Sequence, residues 1–206
     1  MSAFPISVNA DAISALVVGG GAVATRKALA LLAAGARVRV IAPAVSDELV
    51  ARERDDENLA IVRRDYAGPR DIANAALVIA ATSSKSVNAR VSADAHDASR
   101  LVNVVDAPGT GTFTTMAVHR TGDVTIGVST GSVPSAAQRI RDSIAARVDA
   151  RYADAIAACA ALRARTLKPD GSGTEIWADV HPRLISEDFC GSVEDGSFAA
   201  KVDRCR

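Results

Sequence analysis

The chain has 206 residues, enough for a sizeable core and for either one large domain or one domain with a smaller appendage. Apolar residues make up 49% and aromatics only 3%, so Ala, Val, Ile and Leu are expected to build the core. Basic and acidic residues balance at 24 each, so no global field points to nucleic acid or an anionic membrane, and anion recognition has to be local.

The first residues, MSAFPISVNADAIS, have neither a basic start nor a long apolar run, so no signal peptide is expected. No apolar stretch approaches the roughly 20 residues of a membrane helix. ISALVVGG then reads as a strand and AVATRKALALLAAG as a helix closed by Gly35. RVRVIAP is a second strand, and SDELVARERDD a helix with Ser46 as N-cap and acids in its first turn. LAIVRRDY is a third strand and ALVIAAT a fourth, the latter so continuously apolar that both its faces should be covered. SVNARVSADAHDASR is a helix and LVNVV a fifth strand. Strand and helix alternating in this way predict an α/β, Rossmann-like fold with a parallel sheet between helical layers.

The rhythm changes after Pro108. TFTTMAVHRTGDVTIGVSTG reads as a hairpin turning at RTGD, and PSAAQRIRDSIAARVDARYADAIAACAALRARTL as helical with a break near Val148 to Arg151. KPDGSGTE is a loop by composition; beyond Ile176 periodicity fades, and the last dozen residues have the character of a disordered tail. The expected domains are 1–112 (nucleotide-binding), 113–148 (hairpin region) and 149–206 (helical). Cys159, Cys190 and Cys205 are odd in number and widely spaced, the pattern of unpaired thiols in a reducing compartment, and a cytoplasmic location is expected.

Between the first strand and the first helix, Gly19, Gly21 and Ala24 fall in a G-x-G-x-x-A spacing. Gly19 permits the tight turn, Gly21 lets a pyrophosphate approach the backbone, and Ala24 lets helix and strand pack closely, with the helix N-terminus facing the phosphates. The acid that normally closes the second strand and reads the ribose is missing, since that strand ends Ile41, Ala42, Pro43. Arg37 and Arg39 lie on this strand, either favouring a 2′-phosphate or occupying solvated positions. At the end of LVNVV stands Asp106, where an open α/β sheet meets its ligands; as the first residue of D-A-P-G it is equally a turn former, and position alone leaves both readings open.

FPIS, LVVGGGAVATRKALALLAAGARVRVIAP, LVIAATSSKSVNARV, LVNVVDAPGTGTF and VTIGVSTGSVPSAAQRIRDSI occur in the order and spacing of one family. The chain closely resembles the precorrin-2 dehydrogenase/sirohydrochlorin ferrochelatase family, the N-terminal module of siroheme synthases, over roughly residues 4 to 148. The resemblance implies a Rossmann domain, a dimerisation region and a helical domain assembled as a homodimer. It implies NAD-dependent removal of a hydride and a proton from precorrin-2, giving sirohydrochlorin, and in many members ferrous iron insertion, with iron as substrate and no resident metal. Asp106 matches the aspartate thought to act in both steps. The residues expected at the cofactor are Gly19, Gly21, Ala22, Val23, Pro43, Ala44 and Thr82, with NADP left open beside NAD.

A lone carboxylate, its proton affinity tuned by partial burial in a cleft, suits this chemistry because both steps release protons. The tetrapyrrole carries eight carboxylates, and Ser129, Thr130, His119 and Arg139 are the residues expected to meet it, with Arg141, Arg120 and Lys85 as further candidates. His96 is expected to be an exposed helix residue. The chain departs from the family at Met116, where FTTM replaces a proline-ended motif, at GSVPS, and near Ile140. These departures touch substrate grip and chelation more than the cofactor. Two other functions fit the same elements: a dehydrogenase without chelatase activity, and a non-catalytic NAD-sensing domain. No nucleic-acid or membrane partner is expected.

Overall fold

The computed structural model, which describes residues 4–131 and 133–205, turns the five aliphatic runs into one parallel sheet. Its strands are Ser14–Val18 (β1), Arg37–Ile41 (β2), Leu59–Val62 (β3), Leu77–Ala80 (β4) and Leu101–Val104 (β5), in the order β3-β2-β1-β4-β5. Ala22–Ala33 (α1), Asp47–Asp55 (α2) and Lys85–Asp97 (α3) are the crossover helices. Successive residues of the central strands serve opposite faces. Val17, Val40 and Ile79 pack with Ala24, Ala28 and Leu32 of α1, while Val18, Val78 and Val102 pack with Val91 and Ala95 of α3. Each Val, Leu or Ile side chain taken fully out of water in this way contributes about 1.5–3 kcal/mol.

The local signals act as their chemistry requires. Ser46 caps α2 by accepting from Leu49 N at 3.3 Å, and its hydroxyl meets Thr25 Oγ1 of α1 at 2.8 Å. Ser84 caps α3, accepting from Val87 N. The third strand ends at Val62, short of the expected Tyr66, because the residues beyond it turn into a side-chain network. Arg64 pairs with Asp71, and Tyr66 is buried with its hydroxyl donating to Asp94 at 2.8 Å. On the outer side of β3, Glu53 of α2 accepts from Ile61 N at 2.8 Å.

The chain divides into two compact units, Met1–Thr115 and Met116–Arg206. The second holds the hairpin of Ala117–Thr121 (β6) and Val124–Val128 (β7), then Pro134–Ala145 (α4), Ala150–Thr166 (α5), Thr174–Leu184 (α6), Phe189–Glu194 (α7) and Phe198–Asp203 (α8). The helical break falls between Ala145 and Ala150, slightly earlier than the sequence suggests.

Two expectations are corrected here. As far as Cys205 the final residues are not a disordered tail: α8 inserts Phe198 and Val202, both nearly fully buried, into the second core, and Arg206 lies outside the described residues. Nor is that core aliphatic, for Tyr152 and Phe198 are buried in it with Phe189 and Trp177 packed alongside. Phe189 and Phe198 meet edge to face with centroids 5.2 Å apart, and Tyr152 approaches Phe189 at 6.3 Å. Among the described residues no helix is long and apolar enough to cross a membrane.

Candidate active site

The pairing registers bring the strand ends level: Ile41 opposite Val18, Val18 opposite Ala80, Ala80 opposite Val104. The segments leaving these strands therefore emerge on one rim. The strand order reverses between β1 and β4, which makes the crevice outside their carboxyl ends the ligand position of an open α/β sheet. The glycine loop leaves β1 at this point.

The three consecutive glycines differ in what they allow. Gly19 has φ +125°, and a Cβ there would lie 2.4 Å from Ala81 O, so the turn admits no side chain. Gly20, which the G-x-G-x-x-A spacing leaves unassigned, is equally constrained, because its Cβ would lie 2.0 Å from Ala44 O. Gly21 is the opposite case: its backbone is ordinary, and a Cβ would meet nothing within 4 Å. It is the N-cap of α1 and supplies no side-chain cap to the helix, while Ala22 and Val23 lie exposed in the first turn. Open space before uncapped helical N–H groups fits a dinucleotide diphosphate.

Pro43 and Ala44 sit exposed beyond β2, and no carboxylate stands at the end of that strand. The arginines of β2 do not serve this rim. Arg37, at the strand's start, donates to Ser14 Oγ at 3.4 Å, and Arg39, in its middle, donates to the Asp71 carbonyl. Their reading as 2′-phosphate ligands is corrected accordingly. Arg64 is committed to Asp71, with contacts of 2.6 and 2.9 Å. Its hydrogen bonds, aided by the Ala67 N–H, hold the Asp71 carboxyl below the ordinary carboxylate range against the opposing effect of burial. Lys27, half-buried on α1, donates to Thr115 Oγ1 at 3.0 Å, and burial together with the neighbouring Arg26 pushes its ammonium below the usual lysine range.

Past β4 and β5, a side chain that sequence reasoning passed over ties the rim together. Asn88 of α3 is 1% exposed. Its Oδ1 accepts from Thr82 N at 3.1 Å and Thr82 Oγ1 at 2.8 Å, and its Nδ2 donates to Thr82 O at 3.1 Å and Asp106 Oδ1 at 3.0 Å. Asp106 is exposed, not partly buried in a cleft as the chemistry had suggested. Thr82, expected at the cofactor, directs its hydroxyl and both backbone groups to Asn88 and Ser84. The signal for Asn88 was present: a lone amide on a buried stripe whose other members are Val91, Ser92 and Ala95.

The chain after Asp106 also forms the expected turn, with a 3-10 segment over Pro108–Thr110, so the turn and the presented carboxylate coexist. It then folds back along β5. Thr112 N donates to Val102 O at 2.8 Å, Val102 N donates to Thr112 Oγ1 at 2.8 Å, and Asn103 Nδ2 donates to Phe113 O at 3.0 Å. Ser92 Oγ and His96 Nε2 of α3 both donate to Thr110 O.

The four substrate candidates belong to the second unit. His119 on β6 donates through Nε2 to Val148 O at 2.6 Å, bracing the hairpin against the helical break. Thr130 Oγ1 donates to Val133 O at 2.5 Å, in the turn that leads into α4. Ser129 and Arg139 are exposed, and among the described residues neither side chain has a hydrogen-bond partner. Also among the described residues, no cluster of three His, Cys, Asp or Glu side chains is arranged to hold a metal ion.

Comparison with known proteins places this geometry. A family model described as NAD(P)-binding matches residues 6–117. A siroheme synthase of Ectopseudomonas mendocina is 39% identical over 186 residues, covering 88% of this chain and 39% of the relative. A siroheme synthase of Saccharophagus degradans is 34% identical over 204 residues, covering 97% and 43%. The chain thus spans about two-fifths of the length of the curated relatives it matches. Among solved structures, a precorrin-2 dehydrogenase, SirC, aligns with a TM-score of 0.77 at 25% identity, over 98% of this chain and 100% of that one.

Proposed function

The chain belongs to the NAD(P)-binding family and is a relative of the siroheme synthases, and on that premise we propose that it is a precorrin-2 dehydrogenase of sirohaem biosynthesis. The observation that carries the reading is the position of Asp106 on the ligand rim, one strand beyond the switch point that the glycine loop flanks. NAD, when bound, supplies the hydride acceptor. The first unit holds it with Gly21 and the α1 N-terminus at the diphosphate and Pro43 and Ala44 near the adenosine.

The oxidation removes two electrons and two protons from precorrin-2. Bound NAD would accept one hydrogen as hydride, and the Asp106 carboxylate takes the second as a proton and passes it to water. The products are sirohydrochlorin, NADH and a proton. Ser129, Thr130 and Arg139 meet the substrate's carboxylates, and the protein works as a homodimer in the cytoplasm. Iron insertion is a second step open to the same carboxylate, since two pyrrole protons leave as ferrous iron enters; the tetrapyrrole grips the iron, which is substrate. A role limited to NAD sensing gives no reason for a carboxylate held on this rim.

The test is the absorbance change of anaerobic precorrin-2 on adding protein and NAD. Wild type converts it; Asp106→Ala lowers the rate by about 100-fold or more while binding NAD as wild type does. Gly21→Asp abolishes NAD binding by placing a carboxylate against the diphosphate. Wild-type protein that binds NAD and leaves precorrin-2 unchanged would support the sensing role instead. Iron uptake into sirohydrochlorin at the same rate with wild type and Asp106→Ala would remove chelation.

A further inference from the structure

We infer that Asn88 is a positioning residue for Asp106, fixing the direction in which the carboxylate presents its free oxygen. For the reaction this rests on the dehydrogenase reading above; for the hydrogen bond it rests on geometry alone.

A buried primary amide is destabilising unless it is paired, and Asn88 is paired completely. It has two N–H donors and two acceptor lone pairs, and the four bonds to Thr82 and Asp106 use all of them. The same bonds fix which end is which. Turning the amide over would set its oxygen against the Thr82 carbonyl and the Asp106 carboxylate, and its NH2 against the Thr82 N–H.

Three of the four bonds go to Thr82, in the segment that leaves β4. The amide plane is therefore set before Asp106 is considered, and the remaining N–H is a preorganised donor aimed across to the segment that leaves β5. Asp106 needs such a donor. Its side chain is exposed, and among the described residues Asn88 is its only hydrogen-bond partner. Without that bond the carboxylate is free to change rotamer. With it, Oδ1 is held at 3.0 Å from Nδ2, and Oδ2 is the oxygen left to take a proton. A misplacement of about 1 Å at a reacting group costs on the order of 100-fold in rate.

A purely structural Asn88, tying Thr82 to α3, would stabilise the fold with no link to Asp106, and two measurements separate the two roles. The first needs no activity: side-chain NH2 resonances of Asn88 in protein labelled with 15N-asparagine. In wild type one N–H is bonded to a carboxylate and exchanges slowly. Asp106→Ala, a change at an exposed side chain that leaves the fold intact, should shift that proton upfield and speed its exchange while the second proton stays put. Resonances unmoved by Asp106→Ala overturn the inference.

The second is a kinetic cycle with precorrin-2 and NAD. Asn88→Ala should lower kcat by about 10- to 100-fold with KM for NAD nearly unchanged. The same change made in Asp106→Ala should lower the residual rate no further. Equal losses in both backgrounds overturn the inference. Should Asn88→Ala fail to fold, Asn88→Asp takes its place, keeping the shape while replacing the donor with an acceptor. Wild type that leaves precorrin-2 unchanged would sink the dehydrogenase reading, and the resonances would still decide whether Asn88 holds Asp106.

Discussion

Around the sheet of the first unit the buried apolar side chains are aliphatic apart from Tyr66, whereas the second unit closes on Tyr152, Phe189 and Phe198 with Trp177 beside them. The difference follows from the elements being packed. A parallel strand covered on both faces presents every residue to a core, so Val, Ile, Leu and Ala suffice, provided there are many. The helices α7 and α8 have six residues each, too short to persist alone, and each turns only two residues fully into the core. A few aromatic side chains, burying about 150–250 Å² apiece, supply the area that such short pieces cannot gather otherwise. An overall aromatic content of 3% conceals this, because four of the seven aromatic residues lie in the second unit's core.

The sharpest way to break the comparison is Phe198→Ala. Removing a ring that sits edge to face on Phe189 should cost about 3–5 kcal/mol. Trp177, the chain's single tryptophan, lies in that core and reports the loss through its fluorescence in a denaturant titration. A cost below about 1 kcal/mol, the range of a surface substitution, would mean that the aromatic cluster is not what holds the short helices.

The next test contrasts two neighbours in the first unit. Gly20→Ala drives a methyl into the Ala44 carbonyl and should destabilise by about 1–3 kcal/mol or more. Gly21→Ala meets open space and should change stability by about 1 kcal/mol at most, yet weaken NAD binding by about tenfold or more. Thermal melts and cofactor titrations of the pair distinguish a glycine kept for packing from one kept for a ligand.

The smallest effect is in acid. Asp71 binds protons less readily folded than unfolded, chiefly because Arg64 hydrogen-bonds its carboxylate. Its contribution is complete above the ordinary value of 3.8 and is lost as pH falls through the lower folded value. Asp149, Asp188 and Asp195 in the second unit are held low as well, by Arg151, by Lys201 and Ser186, and by Ser197 respectively, but on side chains more open to solvent. Melts between pH 7 and pH 3 should therefore show an Asp71-dependent loss that added salt moderates little and that Asp71→Asn removes. The second unit's acid loss should shrink in salt.

The first unit was legible in the sequence because its signals are local. Alternating runs gave the strands, Ser46 and Ser84 the helix starts, and the glycine spacing the loop. Asp106 was legible as the residue after a strand end. Asn88 was not assigned, since its role depends on three segments meeting: α3, the exit of β4 and the exit of β5. Arg39 was left with two readings for a related reason, for only the fold shows that the Asp71 carbonyl stands in front of it. In the second unit, weak periodicity after Ile176 hid helices whose cohesion comes from distant rings, and no spacing rule announces that His119 will reach Val148.

The two outer strands of the five-stranded sheet have each had a backbone group claimed from outside: Ile61 N by the Glu53 carboxylate, and Val102 N and O by Thr112. A β-strand arriving from another molecule would find the midpoint of either edge already taken, and docking would require breaking an internal bond first. Five is therefore a terminal number for this sheet, and the fold is guarded at both flanks against the edge-to-edge stacking that seeds aggregation.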